Sequence, residues 1–151
     1  MSERIDLRYF TEPEFRDWWP HMSLRLLLLL DSLRHQWGDS ITISPIKGAL
    51  GRNNGEADSS QHNVDRWGEV RAADVFLSGM ESRAAANRAL GLASRAGLTG
   101  IGIYPNWDPS PGMHADVRVD EAPGDPALWG MVDDGDGQYQ VSLEKALERM
   151  E

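Results

Sequence analysis

The stretch "GMHADVR", residues 112–118, alternates between apolar and polar side chains. That alternation predicts a β-strand with two unlike faces. Met113, Ala115 and Val117 share one face, suited to a core, while His114, Asp116 and Arg118 share the other. An apolar face beneath a strand is ordinary. An imidazole, a carboxylate and a guanidinium lined up on the opposite face ask for a role.

Working outward, "GIGIY" (100–104) predicts a second strand, joined to the first by the turn-rich "PNWDPSPG" (105–112) with no helix between them. "VRAADVFL" (70–77) and "ITIS" (41–44) predict two more, the latter rich in β-branched residues. "LWGMV" and "YQV" predict a terminal hairpin around "DDGDG" (133–137), and a short helix begins at Ser142. The "DDGDG" run is a polar tip rather than a calcium loop, because the twelfth position of an EF-hand frame would be Leu143 instead of Glu.

Helices are expected from Thr11, from Ser23 to Trp37 and over residues 81–96. Thr11 and Glu14 form a capping-box pattern, with Pro13 in the first turn. Gly38 and Gly97 suit the ends of the second and third helices. Trp18, Trp19 and the leucines of "LRLLLLL" (24–30) are expected in the core. Strands and helices do not alternate strictly, so the expected class is α+β, a mainly antiparallel sheet flanked by helices in one domain over residues 1–151. Residues 48–63, "GALGRNNGEADSSQHN", are expected to form a long loop, and loops of that length are often functional.

Composition narrows the function. The chain has 151 residues, 15 basic against 24 acidic, and a net charge of −9. Such a balance disfavours a nucleic-acid backbone or an anionic membrane surface as partner. With no cysteine, disulfides and thiolate metal sites are excluded, and any metal must be held by nitrogen and oxygen. The leucine run is shorter than a bilayer span and is interrupted by Arg25. It also lacks the flanks of a signal peptide. Synthesis in a cytoplasm without membrane insertion is the expectation.

Three residues stand out as candidate ligands. Asp74 shares a strand face with Ala72 and Phe76, so its carboxylate needs a cation, hydrogen bonds or a metal, and a salt bridge to a nearby arginine would serve equally. His114 is either a structural hydrogen-bonding group or a ligand. His62, in the long loop, is either solvated or the third member. Together they make two imidazoles and one carboxylate, a common set for catalytic zinc with a fourth position left to water. Such a site acidifies that water and polarises a carbonyl.

"SQH" (60–62), "GEVRAAD" (68–74), "AGLTGIGIYP" (96–105) and "MHADVR" (113–118), in that order, resemble the D-alanyl-D-alanine carboxypeptidase-like zinc peptidases. The likeness is to the small phage and bacterial members that cleave peptidoglycan peptides, and it spans roughly residues 7–120. It implies a Hedgehog/DD-peptidase-like fold and a zinc site of His62, Asp74 and His114. Lys47, in "SPIK", stands where the family tends to carry a substrate-binding arginine, with Arg52 close behind. Both are candidates for substrate binding, and solvated loop cations are the alternative. Two departures are plain. Family members place the aspartate nearer the first histidine than the twelve positions between His62 and Asp74, the insert being "NVDRW". Pro111 also stands where many members carry the general base Glu. Asp116 is then the candidate catalytic base, or else a carboxylate that orients a ligand, with Arg118 bracing it and Asp65 and Glu69 as further candidate bases.

The resemblance implies a zinc-dependent peptidase acting on peptidoglycan peptides, either a phage lysin released at lysis or an enzyme carried in the virion. The competing expectation is an inactive peptidase-fold module among phage structural proteins.

Overall fold

In the computed structural model, which describes residues 5–150, one mixed six-stranded sheet organises the chain. In sequence order its strands are β1 (Ile41–Ile43), β2 (Ala72–Leu77), β3 (Gly100–Tyr104), β4 (Gly112–Asp116), β5 (Ala127–Asp133) and β6 (Gln138–Val141). In space they run β1-β2-β4-β3-β5-β6. Every neighbouring pair is antiparallel except β3 and β5, which are parallel. The class is therefore α+β.

Helices α1 (Leu24–Trp37) and α3 (Arg83–Ala96) pack together, and α4 (Leu143–Glu148) lies on β5. Their boundaries follow local chemistry. Ser23, Ser82 and Ser142 accept hydrogen bonds from the amides of Leu26, Ala85 and Lys145, satisfying donors that a helix start leaves free. Gly38 (φ 80°) and Gly97 (φ 107°) take the left-handed conformation that ends α1 and α3.

Val75, Met113, Ala115, Ile101 and Ile103 point to the helix side and are fully buried with Leu26, Leu30, Leu33, Ala89 and Ala93. Each such buried leucine or isoleucine contributes about 1.5–3 kcal/mol. The opposite face carries Asp74, His114, Asp116 and Trp129, with Gly100 and Gly102 between them.

Three expectations need correction. The segment after Thr11 is a 3-10 helix, Glu12–His21, broken at Arg16 (φ 56°), rather than a continuous α-helix. Its capping box is present, but the Arg16 side chain turns back to donate to the Ser44 carbonyl at 2.7 Å. Leu24 and Leu28 are 52% and 49% exposed, so the core takes only one stripe of the leucine run. β4 stops at Asp116: the Val117 amide still donates to the facing Arg71 carbonyl at 3.0 Å, but the Arg71 amide turns away to the Gln61 carbonyl at 3.0 Å, so the reciprocal bond is not made.

Candidate metal centre

The register sets the site. Asp74 on β2 is paired directly with His114 on β4, and His114 in turn with Gly102 on β3. Residues directly opposite on one face have their Cβ atoms about 5 Å apart, so the carboxylate and the imidazole meet without contortion. Asp74 Oδ1 lies 3.1 Å from His114 Nδ1 and 3.3 Å from His62 Nε2.

His62 reaches this point because its loop is pinned. The "NVDRW" insert forms a one-turn helix, α2 (Val64–Trp67), capped by the Asn63 side chain and closed by Gly68 (φ 74°). The extra residues therefore coil in place and leave His62 at the sheet. Asn63, fully buried, donates to the Gly55 and Asp58 carbonyls at 2.6 and 2.8 Å and accepts from the Asn54 amide at 3.0 Å. The Trp67 indole donates to the Ser60 carbonyl at 2.9 Å.

Both imidazoles are anchored from behind. The Leu50 carbonyl, 2.6 Å from His62 Nδ1, can only accept, so Nδ1 carries the hydrogen and Nε2 is left facing Asp74. His114 Nε2 donates to Asp116 Oδ2 at 2.7 Å, leaving Nδ1 on the Asp74 side. Such outer-nitrogen partners orient imidazoles for a metal. The potential ligand atoms of His62, Asp74 and His114 lie within 4.8 Å of one another, and all three residues are buried. In a neutral His62 ring, Nε2 and Asp74 Oδ1 are both acceptors 3.3 Å apart, so a proton or a cation belongs between them. The donor set therefore fits a metal ion.

Asp116 is fully buried behind His114. Arg118 clamps it through Nη2 at 2.6 Å and Nε at 3.0 Å, and the Arg118 amide donates at 3.0 Å. The Arg118 guanidinium lies 4.8 Å over the Trp129 ring, which in turn packs 5.2 Å from the His114 ring. Two glycines make room. A Cβ on Gly100 would sit 2.2 Å from Asp116 Oδ1, and one on Gly102 would sit 2.7 Å from the Trp129 indole.

The electrostatics follow. Burial pulls the Asp74 carboxyl upward, but hydrogen bonds from His114 and His62 outweigh it and hold it well below the usual carboxylate range. For Asp116 the same opposition is won by His114 and Arg118. Burial alone would lower His114, yet its bonds to Asp116 and Asp74 push it up to about 9 in the metal-free protein.

A cleft of about 280 Å³ opens over the triad, lined also by Arg52, Ser60, Tyr104, Trp107, Met131 and Gln138. Arg52 Nη2 stands 3.9 Å from Asp74 Oδ2, and its Nε donates to the Gly48 carbonyl at 2.9 Å. Lys47 lines the adjoining cleft of about 700 Å³, which Arg52 also lines, with Arg16 and Trp18. Asp65 accepts from the Gly55 amide at 2.9 Å, and Glu69 pairs with Arg71 at 2.9 Å. Neither lines the triad's cleft. The sequence reading passed over Tyr104, Trp107 and Trp129. The one signal for them was the strand "GIGIY", whose open face holds two glycines and then a tyrosine.

No protein-family model, no curated protein and no solved structure matches this chain.

Proposed function

We propose that the chain is a zinc-dependent peptidase hydrolysing amide bonds in peptidoglycan peptides, built on a Hedgehog/DD-peptidase-like version of the α+β fold. The observation that carries this reading is the convergence of His62 Nε2, Asp74 Oδ1 and His114 Nδ1 with both imidazoles fixed through their outer nitrogens. The substrate class rests on the ordered motif resemblance. Two imidazoles and one carboxylate leave a fourth position open, the pattern of catalytic zinc. When bound, zinc supplies Lewis acidity that polarises a carbonyl and acidifies water.

The chain's own residues divide the remaining work. His62, Asp74 and His114 hold the ion. Asp116, occupied by His114 and Arg118, acts as a positioning residue rather than as the base. Arg52 offers a cation at the cleft edge, and Lys47 extends the positive lining into the adjoining cleft. Among the described residues no helix is long and apolar enough to cross a membrane. In this reading the enzyme acts at the cell wall, after release from a lysing cell or as part of a virion.

Elemental analysis of untagged protein, comparing wild type with His62→Ala, is the first test, followed by release of amino groups from purified cell walls. About one zinc per chain, lost in the variant, together with wall hydrolysis, is the expected result. Protein that takes up no stoichiometric zinc when it is supplied defeats the enzyme reading.

One observation favours a second reading, a non-catalytic module of a phage particle. Asp74 is the only carboxylate among the described residues lining the triad's cleft. Asp58, in the neighbouring cleft that His114 also lines, is already held by the Asn54 side chain and the Ser60 amide, so neither cleft offers an unengaged acid among the described residues to manage protons. Zinc binding without wall hydrolysis would select it.

A further inference from the structure

Amide hydrolysis builds negative charge on the carbonyl oxygen as the carbonyl carbon becomes tetrahedral, and a donor fixed in advance at that place lowers the barrier. We infer that the Tyr104 hydroxyl is that donor, binding the carbonyl oxygen of the scissile amide in the cleft over His62, Asp74 and His114. The inference rests on the peptidase reading; Tyr104 lies inside the motif "AGLTGIGIYP", but the resemblance as read from the motifs gives it no role.

Three observations carry it. Tyr104 ends β3 on the same sheet face as Gly102, the residue paired with His114, and it lines the triad's cleft. Its ring is clamped. Trp107 stacks on it with centroids 4.1 Å apart and planes 27° from parallel. Trp107 is itself seated over Gly112, where a Cβ would come within 2.1 Å of its ring, and meets Phe76 edge-on at 6.0 Å. A second tryptophan, Trp129, lines the neighbouring cleft together with Tyr104 and His114. Burial, reinforced by the charge of Asp74, pushes the phenol up to about 12. In the metal-free protein the hydroxyl therefore keeps its hydrogen through neutral and mildly alkaline pH.

Tyr104 takes no part in the proton balance. Water's oxygen bonds to the carbonyl carbon, the C–N bond breaks, and water's hydrogens end on the amine and acid products. The phenol donates a hydrogen bond throughout and ends as it began. Arg52, the charged donor at the cleft, is tied to the Gly48 carbonyl through Nε.

The test compares zinc-loaded wild type with zinc-loaded Tyr104→Phe on soluble muropeptides released from purified walls by a muramidase. Phenylalanine keeps the stack on Trp107 and removes only the hydroxyl. Expected is a fall in kcat of about 100-fold, the scale of losing one such donor, with KM, zinc content and Tm little changed. Trp107→Leu, which removes the clamp and leaves the phenol, should lower kcat less but in the same direction. Wild-type kcat in Tyr104→Phe, or a loss confined to KM, overturns the inference and leaves the peptidase reading standing. A zinc-loaded wild type that releases no amino groups from muropeptides overturns both.

Discussion

Asp116 Oδ2 lies 2.7 Å from His114 Nε2, while His114 Nδ1 lies 3.1 Å from Asp74 Oδ1, so one imidazole is held between two carboxylates. The outer carboxylate, neutralised by Arg118, fixes the ring. The inner one shares the position where a cation would sit. A strand that alternates polar and apolar residues thereby presents a ligand and its support on one face.

Asp116→Asn keeps a carbonyl acceptor for His114 Nε2 but removes the charge that Arg118 needs. Zinc affinity should fall about 10- to 100-fold, the usual cost of losing a supporting partner. Competition against a chromophoric chelator reads this directly. Unchanged affinity would mean that Asp116 only supports the fold.

The affinity should also depend on pH with a definite sign. In the metal-free protein His114 is pushed up to about 9 from an ordinary 6.5, and it must lose a proton to coordinate. Zinc affinity should therefore climb as pH rises toward 9. The metal-free protein behaves oppositely. A raised histidine contributes stability that is fully present below 6.5 and lost as pH rises through about 9. Asp74 and Asp116, both depressed from 3.8, contribute stability present above that value and lost as pH falls below it. The Tm of metal-free protein should decline from pH 6 to pH 9, with zinc flattening that limb.

Two glycine substitutions should move stability in opposite directions. A Cβ on Gly100 would meet Asp116 Oδ1 at 2.2 Å with no room to yield. Gly100→Ala should cost about 1–3 kcal/mol and weaken zinc binding with it. Gly91 lies inside α3 with nothing within 4 Å of an added Cβ. Gly91→Ala should stabilise by about 0.5–1 kcal/mol. Urea unfolding of both variants checks the pair.

Asn63 is the pin of the His62 loop. Asn63→Ala strands the carbonyls of Gly55 and Asp58 and the amide of Asn54. A loss of about 2 kcal/mol or more is expected, from several hydrogen bonds broken at a buried position. Zinc affinity should drop even though Asn63 is no ligand, because His62 is its neighbour in the chain. Hydrogen exchange should speed up across residues 50–64 and stay unchanged in α3.

Much of this protein is written in short stretches of sequence. Alternation over 113–117 marked β4, the β-branched "ITI" marked β1, and serine and glycine at helix ends marked α1, α3 and α4. Each signal is carried by a few adjacent residues, because side-chain alternation, capping and left-handed glycine are properties of the local backbone. The types of the candidate ligands were legible for the same reason: a carboxylate on an apolar face and a histidine on a polar one stand out by pattern alone.

What the local pattern left open is which side chains meet. The twelve positions from His62 to Asp74 are no guide to distance once α2 coils the insert back to the sheet. Asp116 meets His114 and Arg118 two residues away along its own strand, but only the β2–β4 register brings Asp74 to the other nitrogen of the same ring. The leucine run gave no reason to prefer Leu26 over Leu28 until the sheet and α3 chose the stripe to bury. Tyr104 came to the cleft through cross-strand neighbours and a tryptophan seated on a glycine. Sequence determined the elements and the chemical types they carry, because those depend on neighbours along the chain. Tertiary structure alone decided the site, because bringing His62, Asp74 and His114 to one point depends on register and packing between residues up to 52 positions apart.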